Sequence, residues 1–95
     1  MAQQIKVKYE KLRTNWGLAH IGKNLIKIDK TTKGKKHLEI LTHEALHILL
    51  PEAEEQEIVR LSCALTSLLW KEGYRRMDND VTQPLQEALY KLKKK

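Results

Sequence analysis

Among its 95 residues the chain has one cysteine, two prolines, four glycines, no phenylalanine and only five aromatic side chains. A lone Cys63 excludes an internal disulfide, and its place in the apolar stretch IVRLSCALTSLLW predicts a buried small hydrophobe rather than a nucleophile. No run approaches the roughly eighteen consecutive apolar residues that span a bilayer, and MAQQIKVKYE lacks the apolar core of a secretory signal. These absences predict a cytoplasmic protein with no membrane role. The small size leaves room for one modest core, so residues 1–95 are expected to form a single domain whose site draws on few elements.

What is abundant is charge. Eighteen Lys and Arg against twelve Asp and Glu give a formal charge of +6. Such a balance permits contact with nucleic acid or an acidic partner. Most of the lysines nevertheless fall into three separate groups, around 6–11, 30–36 and 91–95, with no aromatic stacking platform among them. Solvated faces and a basic tail explain them better than a nucleic-acid surface.

Residues 4–9 alternate Ile5, Val7 and Tyr9 with Lys6 and Lys8, the period of a strand with one buried face. A second strand is expected over 16–21, and Gly22, Lys23 and Asn24 supply the turn into a third at 25–29. The segment 35–50 holds no glycine or proline and is stopped by Pro51, which predicts a central helix. A second helix over 54–72 begins with acidic residues and ends at Gly73. Thr82 can cap a third, with Pro84 in its first turn and a stripe of Leu85, Ala88, Leu89 and Leu92. The expected fold is therefore α+β: a small antiparallel sheet of about three strands, two antiparallel helices and a short C-terminal helix.

The first helix carries Thr42-His43-Glu44-Ala45-Leu46-His47, an HExxH pattern. Histidines at i and i+4 leave one face of a helix a turn apart, so their imidazoles can converge on one zinc ion (Zn2+). The glutamate between them is placed to act as general base toward a water activated by the metal. Catalytic zinc sites usually take three protein ligands, and the acidic run Glu52, Glu54, Glu55 and Glu57 at the start of the second helix offers the third. For antiparallel helices, a position about five residues into the second helix stands level with the histidines, which favours Glu57 with Glu54 as the alternative.

A strand reading NLIKID, then LTHEALH on a helix and a glutamate on the next helix resembles the minimal gluzincin metallopeptidases, of which the ImmA/IrrE-like proteins are the best known. In that resemblance the second-helix ligand opens a pattern that Glu57, Ile58, Leu61 and Ser62 match, although Ile58 and Val59 replace the usual alanine and asparagine. The likeness spans residues 24–74 and implies a zincin-like fold, zinc on His43, His47 and Glu57, and Glu44 as catalytic base. The apolar run ending in LLW, with GYR after it, is also similar to compact HExxH proteins of phages and mobile elements.

The implied activity is hydrolysis of a peptide or protein substrate. A catalytically silent scaffold that binds an acidic partner is the alternative, and a basic nucleic-acid module with a structural metal is a third reading. Of the remaining polar residues, His20 is expected as a core histidine, His37 as solvated, and Tyr74, Arg75 and Arg76 as an exposed turn. Trp16 and Trp70 are expected to anchor the core or its rim.

Overall fold

A computed structural model describes residues 4–77. The strands are β1 (Lys6–Glu10), β2 (Gly17–His20) and β3 (Leu25–Asp29), followed by helices α1 (Gly34–Leu49) and α2 (Glu55–Lys71). The α+β class and the order of these elements agree with the sequence pattern. The expected third helix at 82–92 lies outside the described residues.

The sheet is mixed rather than antiparallel. Its order is β1-β3-β2: β2 and β3 form an antiparallel hairpin with Leu18 opposite Lys27, whereas β1 runs parallel to β3 with Lys8 opposite Lys27. The cause is the link at 11–16. It crosses the end of β3 instead of folding back beside β1, and Asp29 holds it there. The Asp29 carboxylate accepts the Leu12 and Thr31 N–H groups at 3.0 and 2.9 Å, while the Asp29 N–H donates to the Trp16 carbonyl at 2.8 Å. The hairpin turn is a single 3-10 turn, Ile21–Lys23, closed by Asn24 at φ 50°, a left-handed conformation that asparagine tolerates better than most residues.

Alternation in β3 decides which face is buried. Ile26 and Ile28 are fully inaccessible and join Ile40 and Ile48 of α1, with Val7, Ala19, Leu41 and Ala45 packed around them. Burying each isoleucine contributes about 1.5–3 kcal/mol, so these four side chains hold α1 against the sheet. Gly17, the first residue of β2, lets that helix come close: a Cβ there would lie 2.6 Å from Ile40 Cγ2 and 3.1 Å from Glu44 Cγ.

The helix pair closes through a less apolar seam. Buried residues on α2 are Ile58, Ser62 and Thr66. The Thr66 hydroxyl shares a 2.8 Å hydrogen bond with that of Thr42, so neither is buried unpaired. The Leu61 and Leu68 face, the more hydrophobic stripe in sequence, points elsewhere, and Leu68 remains 56% exposed. For the same reason Cys63 is exposed, contrary to the expectation of burial: it lies one residue past Ser62, about 100° around the helix.

His37 also departs from expectation. It is buried, not solvated, because the start of α1 lies against the end of β1: its Nε2 lies 3.1 Å from the Tyr9 hydroxyl and the two rings stack. Burial pushes its pKa below the usual imidazole value, and the nearby Arg76 charge acts in the same direction.

Candidate metal centre

The helical spacing brings the two motif histidines together as the sequence implies. Their Nε2 atoms are 3.2 Å apart on the last two turns of α1. Residues 50–54 then reverse the chain, with Ala53 N–H donating to the Leu50 carbonyl at 3.0 Å, and α2 opens at Glu55. Glu55 Oε2 lies 3.1 Å from His43 Nε2, and Glu55 Oε1 lies 3.0 Å from His47 Nε2. These three side chains are the group of potential metal ligands among the described residues.

Glu57, favoured from the sequence, stands elsewhere. Its carboxylate is exposed and pairs with Arg60 at 3.2 Å. Glu54, the alternative, is the extended residue before α2, where its carbonyl accepts the N–H groups of Glu57 and Ile58. The reason is rotational phase. Glu55 precedes Ile58, Ser62 and Thr66 at helical spacing and so shares the face that meets α1, while Glu57 shares the face of Leu61, Ala64 and Leu68. Choosing the most hydrophobic stripe as the contact face selects Glu57, whereas the structure brings Glu55 beside the histidines. The detectable signal was the small polar pair Ser62 and Thr66 in phase with Ile58.

The donor set fits a small cation. Two ligand atoms held about 2.0–2.1 Å from a tetrahedral zinc are separated by roughly 3.3 Å. The two Nε2 atoms, 3.2 Å apart, are near that separation, each lies 3.0–3.1 Å from a different oxygen of Glu55, and one ligand atom from each residue falls within 4.8 Å of the others. Two imidazoles and one carboxylate are also the ligand types borderline metals prefer. All three side chains retain access to solvent, with Glu55 the most exposed.

Glu44 and His43 line one cleft of about 360 Å³ together with Trp16, Gly17, Ile40, Val59 and Cys63. Burial raises the Glu44 carboxyl above the usual range; the two neighbouring histidines act against that shift, and Glu55 adds to it. A carboxyl poised in this way is suited to exchanging protons with a group in the cleft. The family models, the curated proteins and the solved structures contain no significant match to this chain.

The other sequence candidates fall outside this centre. His20, half-buried at the end of β2, has a buried Nε2 without a hydrogen-bond partner among the described residues, and it does not belong to the three-ligand group. Tyr74, Arg75 and Arg76 are exposed as expected, but they line a different cavity beside His37 and Trp70. There the Arg75 guanidinium lies 3.4 Å from the Trp70 ring centroid. Trp16 is a rim residue, half exposed, with Lys36 5.3 Å above its ring. Gly17 is the residue that sequence reasoning passed over. A glycine inside a strand pattern is the signal for such a close approach.

Proposed function

We propose that this protein is a zinc-dependent hydrolase of peptide bonds in which His43, His47 and Glu55 hold the metal and Glu44 is the general base. The observation that carries the reading is the convergence of the two Nε2 atoms and the Glu55 carboxylate, with contacts of 3.0–3.2 Å, beside a half-buried Glu44 in a cleft. Zinc held by these three side chains would supply a Lewis acid for a carbonyl and ease deprotonation of water. Glu44 takes the proton of the attacking water and delivers it to the leaving amine, a role favoured by its raised pKa.

Substrate binding follows from the sheet order. β2 is an edge strand, and the residues that lead into it, Asn15 to Gly17, form one wall of the cleft. An extended peptide can add to this edge through backbone hydrogen bonds and bring a carbonyl toward Glu44 without much sequence selectivity. The zincin-like fold and the cytoplasmic setting belong to the same proposal.

One feature favours a second reading. β2 has only four residues, a short platform for a substrate, which suits a zincin-like scaffold that binds a regulatory partner without cleaving it. The two readings separate on one experiment: zinc-loaded protein is incubated with an unstructured polypeptide and a peptide library, beside Glu44→Gln. Cleavage by the wild type that falls by about 10²–10⁴-fold in the variant, with zinc content unchanged, supports the hydrolase. No cleavage by zinc-loaded wild type, or equal cleavage by both proteins, overturns it.

A further inference from the structure

Away from the candidate metal centre, two cavities meet beside His37. One, of about 290 Å³, is mainly apolar and is lined by Leu38, Leu41, Leu69 and Trp70. The other, of about 270 Å³, is cationic, with Lys30, Lys33 and Arg76 in its wall. Both are lined by Gly34, His37 and Arg76, so they are neighbouring chambers. A Cβ on Gly34 would lie 3.8 Å from Trp70 Cη2, which puts the edge of that indole near their junction. No residue of either chamber lines the Glu44 cleft.

The arginines here are held in place without a carboxylate. Arg75 Nη1 donates to the Trp70 and Tyr74 carbonyls at 2.9 and 3.0 Å, and its guanidinium lies 3.4 Å from the Trp70 ring centroid. The Arg76 guanidinium lies 4.1 Å from the Tyr9 ring centroid. Stacking occupies the face of a guanidinium and leaves its remaining in-plane N–H groups available to an oxyanion. None of the ion pairs among the described residues involves Lys30, Lys33, Arg75 or Arg76. No described acidic residue lines either chamber. The first turn of α1 likewise carries no acidic side chain, so the helix dipole adds to the same positive field.

We propose that these chambers bind a phosphate monoester bearing a flat aromatic group, as in a nucleoside monophosphate, with the phosphate on Lys30, Lys33 and Arg76 and the aromatic group beside Trp70. Three cations around one chamber match a phosphate dianion, whereas a carboxylate would leave much of that charge uncompensated. The leucines and the indole of the other chamber give an aromatic ring apolar and stacking contacts. Together the chambers fall within the roughly 300–1,000 Å³ of ordinary small-molecule sites, which neither reaches alone. Space for one ring suits a single nucleotide better than a strand, which takes a stacking surface for successive bases.

The test titrates adenosine monophosphate into the full chain, with and without zinc, by calorimetry and amide NMR. Inorganic phosphate, adenosine and a 5′-phosphorylated oligonucleotide are run beside it. The expected result is saturable binding that zinc does not alter and that is at least about fivefold tighter than that of inorganic phosphate. Shifts should centre on the Gly34 and His37 amides and the Trp70 indole N–H. Arg76→Ala should weaken binding about tenfold, and Lys30→Ala, an exposed change that leaves the core intact, about threefold. The shifts in the wild type locate the site even if a variant folds poorly. Affinity no greater than that of inorganic phosphate, shifts centred on His43 and Glu44, or no binding at all would overturn the proposal. So would an oligonucleotide that binds more tightly than the mononucleotide and weakens steeply with salt, which would assign the cationic chamber to nucleic acid.

Discussion

The hydroxyls of Thr42 and Thr66 lie 2.8 Å apart inside the seam between α1 and α2, and this buried polar pair fixes which face of α2 meets the histidines. Glu55 is in phase with Thr66 and arrives beside His43 and His47; Glu57 is not and turns to Arg60. Glu55→Ala should therefore reduce zinc affinity by more than the roughly 10–100-fold typical of outer-shell changes. Glu57→Ala should leave affinity within about twofold of wild type. Calorimetric titration of zinc into both variants distinguishes them, and a loss confined to Glu57→Ala would remove Glu55 from the ligand set.

Gly17→Ala should separate metal binding from the cleft. The added methyl would press on Ile40 Cγ2 and Glu44 Cγ, so α1 must shift or the Glu44 side chain must move. Overpacking of this kind costs about 1–3 kcal/mol. The expected outcome is a lower urea midpoint and weaker hydrolysis, with zinc stoichiometry retained because the added methyl meets Ile40 and Glu44 and none of the three candidate ligands. An unchanged midpoint would show that the strand and helix adjust freely.

Stability should fall on mild acidification because of His37. Its folded pKa is lowered by burial, so below roughly pH 6.5 the unfolded chain takes up a proton that the folded chain resists, and stability declines as pH decreases through that range. His37→Gln removes the titrating group and should flatten the curve. Thermal melts from about pH 7.5 to 5.5 check this, and equal slopes in both proteins would assign the acid sensitivity to other groups.

Asp29 acts with the opposite protonation state and in a lower range. Hydrogen bonds from Thr31, and to a lesser extent from Leu12, hold its carboxyl at about 2. Its contribution is present above the ordinary carboxylate pKa and is lost as pH falls from about 4 toward 2. Asp29→Asn should lower Tm at neutral pH and narrow the gap from wild type in acid. Because Asp29 pins the link that crosses β3, amide exchange at Leu12 and Thr31 should quicken in the variant.

Local features of the sequence carried much of this architecture. Ile5 and Val7 against Lys6 and Lys8 mark β1, Pro51 and Gly73 stop the helices, and the spacing of His43 and His47 brings their rings together. Long-range choices were less legible. Whether β1 pairs parallel or antiparallel depends on where residues 11–16 cross, and that depends on hydrogen bonds to Asp29 from groups distant in sequence. The contact face of α2 was hidden because its polar seam is satisfied by a partner on another helix, whereas its leucines suggest burial that α1 does not supply. His37 looked solvated for the same reason: its burial comes from Tyr9 on β1.

The three candidate ligands sit on either side of a single chain reversal, at residues 50–54. A cation shared by them ties together parts of the polypeptide that remain near neighbours even after unfolding. Little configurational freedom of the unfolded chain is then lost through the tie, because loop-closure entropy grows with the length enclosed. Metal at this position should accordingly sharpen the geometry of one helical corner more than it secures the sheet, whose β1–β3 pairing rests on the isoleucine core and on the hydrogen bonds that Asp29 makes.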